Sequence, residues 1–223
     1  MPIKIYFMDY DNKEEGYYNN TREEMLAFLP QNAKTILDVG CADGSFSKII
    51  KQRNKAEVWG IEYMPEEAKK ASSKIDHVLT GACEVNIDKL PNDYFDAIYF
   101  NDVLEHLVDP YMVLEKIKDK LSNDGIVISS IPNMRYHSAL KNLIFNKDWK
   151  YADHGIMDKT HLRFFTKKSI DNMYKDAGYE VIIHQGINVT KSLKPWLYNI
   201  PFLFTALDMR YLQFATVAKK ARF

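Results

Sequence analysis

The 223-residue chain holds only two cysteines, Cys41 and Cys83. Two thiols do not build a disulfide framework, and the count fits a reduced, cytoplasmic setting. Net charge is also missing, because 30 lysines and arginines face 30 aspartates and glutamates. That balance leaves no overall footprint for nucleic acid, although it is compatible with a local basic patch. No apolar run approaches the ~18 residues that span a bilayer. The greasiest stretch, Leu193–Leu207, carries two prolines and a lysine. The opening residues turn acidic too soon for a signal peptide. Internal repeats and low-complexity segments are absent. So are CxxC and HExxH spacings, and no zinc or other metal site is expected on that ground.

What is present is ample apolar material. Hydrophobic residues make up 46% of the chain, enough for a sizeable core in one domain over residues 1–223. Short apolar runs at 35–39, 57–61, 77–80, 95–100 and 125–131 read as strands, and most are apolar throughout, as in a parallel sheet covered on both faces. Amphipathic segments separate them. Phe46, Ile49 and Ile50 recur at helical spacing, and Asp109-Pro110 reads as an N-cap and first helical residue before Leu114, Ile117 and Leu121. Thr166 caps a further helix that Gly178 stops. Two late strands, 179–184 and 211–218, follow. The alternation predicts a doubly wound, mostly parallel α/β sheet. Residues 132–165 and 190–210 interrupt it, and long excursions of this kind are usually functional. They are expected to form helical, acceptor-side or lid insertions. Core or dimer contact is the expected use of Leu193–Leu207, since its prolines break any long apolar face.

The stretch ILDVGCADGSF, Ile36 to Phe46, runs from a strand into a helix through Gly40 and Gly44. Glycines there let backbone approach a ligand, and the following helix N-terminus favours electron-rich groups. A dinucleotide fingerprint needs glycine at 40, 42 and 45, but Ala42 and Ser45 stand at two of these. The absence of GK[ST] excludes a Walker loop. Asp38 is a poor neighbour for pyrophosphate and a good one for an ammonium group.

This stretch resembles motif I of class I S-adenosylmethionine-dependent methyltransferases. WGIEYM (59–64) resembles their second-strand motif, TGACE (80–84) the adenine loop and FDAIYFNDVLEHLVDP (95–110) the fourth-strand motif. The resemblance covers roughly Tyr17 to Gly186, and it implies a seven-stranded Rossmann-like fold with S-adenosyl-L-methionine as cofactor. It places Asp38, Gly40, Cys41, Gly44, Phe46, Glu62, Tyr63, Ala82, Cys83 and Asn101 around the cofactor, with Glu62 on the ribose hydroxyls. Tyr18 and Arg22 are expected at its carboxylate. Ala42 departs from the usual glycine and is accommodated if its φ stays negative. Ala82 departs from a common aspartate, leaving adenine to the Cys83 backbone and apolar packing.

Methyl transfer to oxygen needs a base or a metal beside the acceptor. In NDVLEH, Asp102, Glu105 and His106 are candidates for acid/base work, or for a divalent metal as in related quinone-pathway O-methyltransferases. Glu105 is expected mainly to structure its loop. DHGIMDKTHLRFFT, Asp153 to Thr166, resembles a segment of methyltransferases encoded with surface-glycan and O-antigen enzymes. That resemblance implies a small-molecule acceptor, a sugar hydroxyl, bonded by Asp153, His154, Asp158, Thr160, His161 and Arg163. His161 is the first choice for general base and His154 the second. A quinone or aromatic acceptor, and a non-catalytic cofactor-binding regulator, are the rival expectations.

Overall fold

In the computed structural model, residues 22–221 are described. The apolar runs become β1 (Thr35–Val39), β2 (Glu57–Glu62), β3 (His77–Thr80), β4 (Phe95–Asn101), β5 (Leu121–Pro132), β6 (Tyr179–Val189) and β7 (Tyr211–Lys220). They form one sheet in the order β3-β2-β1-β4-β5-β7-β6. The first five pair in parallel, and β7 lies antiparallel between β5 and β6. This is the expected mostly parallel, seven-stranded Rossmann-like arrangement.

The helices are α1 (Ser45–Asn54), α2 (Pro65–Ala71), α3 (Cys83–Asn86), α4 (Pro110–Ile117), α5 (His137–Ile144), α6 (Lys167–Asp176) and α7 (Lys194–Asn199). Local sequence explains several ends. Asp109 accepts from the Met112 amide at 3.0 Å, and Pro110 supplies a first residue that has no amide to satisfy. Thr166 and Ser169 form a reciprocal capping box at the start of α6. Gly178, at φ 80°, follows its last turn.

Two apolar clusters fill the two faces of the sheet. One joins Ile98, Phe100, Ile131 and Phe214 to Val113 and Ile117 of α4 and to Ile170 and Met173 of α6. The other joins Ile36, Val58, Tyr99 and Ile128 to Phe46 and Ile50 of α1. Met25 seals the second cluster from a 3-10 turn, Glu23–Phe28. Coverage is not complete on both faces. As the outer strand, β6 leaves Ile182 and Ile183 exposed.

Both insertions contain helix, α5 in the first and α7 in the second, and the two helices pack together. For the second, core or dimer contact is the expectation; Pro195, Asn199, Ala206 and Met209 are buried. Leu193, Leu197, Ile200, Phe202 and Leu203 all face out. Among the described residues no helix is long and apolar enough to cross a membrane.

Candidate active site

A cavity of about 820 Å³ opens at the carboxyl ends of β1, β2 and β4. Open α/β sheets bind ligands at this edge, because there the chain turns from strand to helix and leaves backbone groups unspent. Of the residues expected around a cofactor, Arg22, Asp38, Gly40, Cys41, Phe46, Glu62, Tyr63, Ala82, Cys83 and Asn101 line it. Tyr18 lies outside the described residues.

The loop after β1 is held by β2. The amides of Gly40 and Cys41 donate to the Ile61 carbonyl at 2.8 and 3.2 Å. Glu62 accepts from the Ala42 amide and from the Met64 amide, both at 2.8 Å. Its carboxylate is therefore part of the loop's scaffold as well as a group facing the cavity. Each oxygen keeps a second lone pair for a ligand hydroxyl. Burial raises the Glu62 pKa.

Two expectations about this loop need correction. Ala42 does not keep a negative φ but sits at 48°, a left-handed conformation that the Glu62 bond holds in place. Gly44 does not line the cavity. A Cβ there would lie 2.9 Å from the Ala71 Cα, so this glycine allows α1 to pack against α2. Gly60, not singled out from sequence, is needed for a similar reason, since an added Cβ would meet the Cys41 Sγ at 2.5 Å.

Asp38 is almost fully buried and accepts from the Ser47 hydroxyl. Desolvation pushes its pKa up to about 7, opposed by the Ser47 bond and assisted by the charge of Glu62. In the unfolded chain the group titrates near the ordinary carboxylate value. Its stabilising effect is therefore complete at low pH and is lost as pH rises through about 7. From pH 6 to pH 8, urea unfolding of the unliganded protein should show a loss of about 1.4 kcal/mol from this group. Asp38→Asn should remove that part of the slope, and an unchanged slope would refute the assignment. Burial likewise raises the thiol pKa of Cys41 and Cys83, so both are neutral packing groups rather than nucleophiles.

The Asn101 carboxamide is buried in the lining, and neither its nitrogen nor its oxygen has a partner among the described residues. An orphaned amide of this kind calls for a polar ligand in the cavity. With the carboxylates of Asp38 and Glu62 in the same lining, the residues fit a cofactor that carries an ammonium group and ribose hydroxyls. The Arg22 guanidinium reaches Asp102 at 2.7 Å, Ser130 at 2.8 Å and Gln213 at 3.1 Å. Gln213 in turn donates to Asp102 at 2.5 Å. Asp102 thus forms one end of an ion-paired network while also lining the cavity.

The acceptor end is built from two segments strapped together by backbone. The Leu162 and Arg163 amides donate to the Glu105 carbonyl at 2.9 and 3.0 Å. The His106 Nδ1 donates to the Thr160 carbonyl at 3.1 Å, and the His161 Nδ1 to the Ile156 carbonyl at 2.9 Å. A carbonyl can only accept, so each neutral ring carries its proton on Nδ1 and its lone pair on Nε2. The rings meet edge to face with centroids 4.7 Å apart. Beneath them Glu105 is fully buried, with its Oε1 4.0 Å from the His161 Nε2 and no hydrogen bond to its side chain. Desolvation, with Asp102 adding, raises its pKa well above the ordinary range. Glu105 structures the loop through its carbonyl, as expected, and its buried side chain also lies beside the two histidines. Glu105, His106 and His161 offer ligand atoms within 4.8 Å of one another, a donor set that a divalent cation could also use.

Of the rest of the 153–166 segment, Gly155, Ile156 and Asp158 also line the cavity, and the other residues do not. Asp158 is buried and accepts from the Thr160 amide at 2.9 Å and hydroxyl at 2.7 Å, which sets the turn that aims His161 inward. His154 is exposed and does not line the cavity, so the second-choice base is misplaced. Asp153 and Arg163 are exposed too, and Arg163 donates to the Val108 carbonyl. Val103, Leu107, Val108, Pro132, Ile156 and Leu212 are apolar residues of the same lining, Val103 standing against Gly40. Leu212 and Gln213 come from β7, far along the chain, where no local pattern marks them.

Fold and site together define a Rossmann-like enzyme of the class that binds its cofactor across the ends of parallel strands. Residues 10–184 match the family model of a methyltransferase domain. The chain belongs to this family, as an S-adenosylmethionine-dependent methyltransferase. It is 26% identical over 187 residues to a ubiquinone biosynthesis O-methyltransferase of Psychrobacter arcticus, covering 80% of this chain and 70% of the relative. It is 27% identical over 196 residues to a trans-aconitate 2-methyltransferase of Escherichia coli, covering 79% and 75%. Among solved structures, a SAM-dependent methyltransferase from Archaeoglobus fulgidus superposes with a TM-score of 0.69 at 18% identity, covering 91% of this chain and 94% of that one.

Proposed function

We propose that the protein methylates a hydroxyl on a largely apolar, ring-bearing small molecule. The observation that carries this reading is the His161 ring, whose Nδ1 is spent on the Ile156 carbonyl and whose Nε2 therefore bears the lone pair, in a cavity whose lining also includes Val103, Leu107, Ile156 and Leu212. A sugar presents hydroxyls on every side, and of the polar groups expected to bond one, Asp158 and His161 line the cavity while Asp153, His154, Thr160 and Arg163 do not. The names of similar proteins, ubiquinone biosynthesis O-methyltransferases among them, support an aromatic or quinone-type acceptor over a glycan.

Bound S-adenosylmethionine supplies a methyl group already activated on a sulfonium. The remaining work falls to this chain. Asp38, Glu62 and Asn101 hold the cofactor's polar ends. His161 takes the acceptor's hydroxyl proton on Nε2 while Nδ1 stays anchored to Ile156. Burial favours the neutral form of Glu105 beneath the ring, so no second charge is added there when His161 takes the proton. His106 confines the acceptor against the apolar wall.

The test is methyl transfer from labelled cofactor to alkyl-substituted catechols and to nucleotide sugars, with the product's methyl position mapped. Transfer to a phenolic oxygen is expected. Transfer to sugar hydroxyls with none to the catechols would overturn the reading.

A further inference from the structure

We infer that the two insertions form a docking surface for an anionic lipid bilayer. The observation is a continuous apolar patch on elements that bury little of it. From the second insertion, Leu193, Leu197, Ile200 and Phe202 are more than half exposed, and Leu203 is 83% exposed. From the first, Ile144 and Phe145 are similarly exposed. The halves meet where α5 packs on α7, with the Phe145 and Tyr198 rings 6.3 Å apart. A patch this large on a helical insertion marks an interaction site.

Its tip is held outward at a cost. Leu203 and Phe204 are consecutive residues in the left-handed region, at φ 48° and 61°, where a bulky side chain is unfavourable. The turn is fixed from below by Asn199, fully buried, whose side chain bonds the Pro195 and Ala206 carbonyls and the Ala206 amide. The fold thus presents two large apolar side chains to the outside.

Charge decides the occupant. Residues 134–150 and 190–210 carry seven basic residues against two acidic ones, in a chain whose total is balanced. One of those acids, Asp208, is paired with Arg135 at 2.6 Å. Lys141, Lys147, Lys150, Lys191 and Lys194 are exposed around the apolar centre. A second copy docked through the same patch would set lysines against lysines across a two-fold axis. An anionic bilayer answers both features, because acyl chains accept the apolar tip and headgroups accept the lysine rim. Trp196, half exposed beneath the Arg210 guanidinium at 4.9 Å, has the amphipathic character of an interfacial side chain. The surface stands at the cavity end of the sheet, since the insertions leave after Pro132 and return before Leu212, both of which line the cavity.

The test is co-sedimentation with phosphatidylcholine vesicles, with and without 30% phosphatidylglycerol. Binding to the anionic vesicles should exceed binding to neutral ones by roughly tenfold and fall in high salt. Leu197→Glu/Leu203→Glu and Lys141→Glu/Lys147→Glu/Lys191→Glu/Lys194→Glu should each lose it. These positions are exposed, and unchanged S-adenosylhomocysteine affinity will confirm that each variant is folded. No binding to anionic vesicles overturns the inference, as does equal binding by wild type and both variants. A dimer seen by sedimentation equilibrium that dissociates in the leucine variant, without vesicle binding, also overturns it and gives the patch to a second copy.

Discussion

His161→Ala should lower kcat for methyl transfer by about 10²–10³ and leave the affinity for S-adenosylhomocysteine within about twofold. The asymmetry follows from where the ring sits. It is buried on the acceptor side, against His106 and Phe164, and its Nδ1 is spent on the Ile156 carbonyl. The cofactor-side groups, Asp38, Glu62 and Asn101, lie on β1, β2 and β4. Removing the ring deletes a proton acceptor but leaves the strand ends intact. His161→Asn separates chemistry from structure. An asparagine amide can still donate to the Ile156 carbonyl, yet it cannot take up a proton near neutral pH. Single-turnover rates of the two variants should therefore be similarly low. If the asparagine variant keeps wild-type kcat, the ring only holds the loop, and the base must be sought elsewhere.

A second large effect is expected at Glu62. Calorimetry on Glu62→Ala should show cofactor-product affinity weakened by about 100-fold. Two charge-assisted bonds end on this carboxylate, from Ala42 and Met64, and such bonds contribute about 1.5–3 kcal/mol each. Their loss would also release Ala42 from a left-handed conformation that alanine does not prefer. Part of that energy returns as the loop relaxes, so an effect near 3 kcal/mol, or two decades, is the net expectation. Glu62→Gln keeps an oxygen for one amide and should fall between the two. Wild-type affinity in the alanine variant would mean that the loop stands without the carboxylate and that the ligand does not touch it.

The strands were legible because each rests on local chemistry. β1 is an apolar run closed by a glycine, and its limits coincide with residues 35–39. Thr166 and Gly178 bracket α6 because capping and left-handed termination are decided within a few residues. The site was legible only in part. The sign of φ at Ala42 depends on a carboxylate 20 residues away. Gly44 looked like a ligand contact because its true neighbour, Ala71, belongs to another helix. His154 and His161 share one loop and one chemistry, so their order cannot separate them. The Asp158 turn and the strap to the Glu105 carbonyl turn one inward and leave the other outside. Arg22 lines the cavity as expected, but its pairing with Asp102, 80 residues distant, has no local signal.

The antiparallel strand has a consequence for how the chain is made. β7 lies between β5 and β6, and among the described residues β6 pairs with no other strand. During synthesis β6 emerges before the strand that will join it to the sheet. Until residues 211–220 are available, β5 presents an open edge and β6 is an unpartnered ribbon with exposed isoleucines. The first five strands can assemble as they appear, but the sheet is completed only when the later strand slides between two elements already waiting. That interval exposes the nascent chain to mispairing and gives a chaperone its window of action.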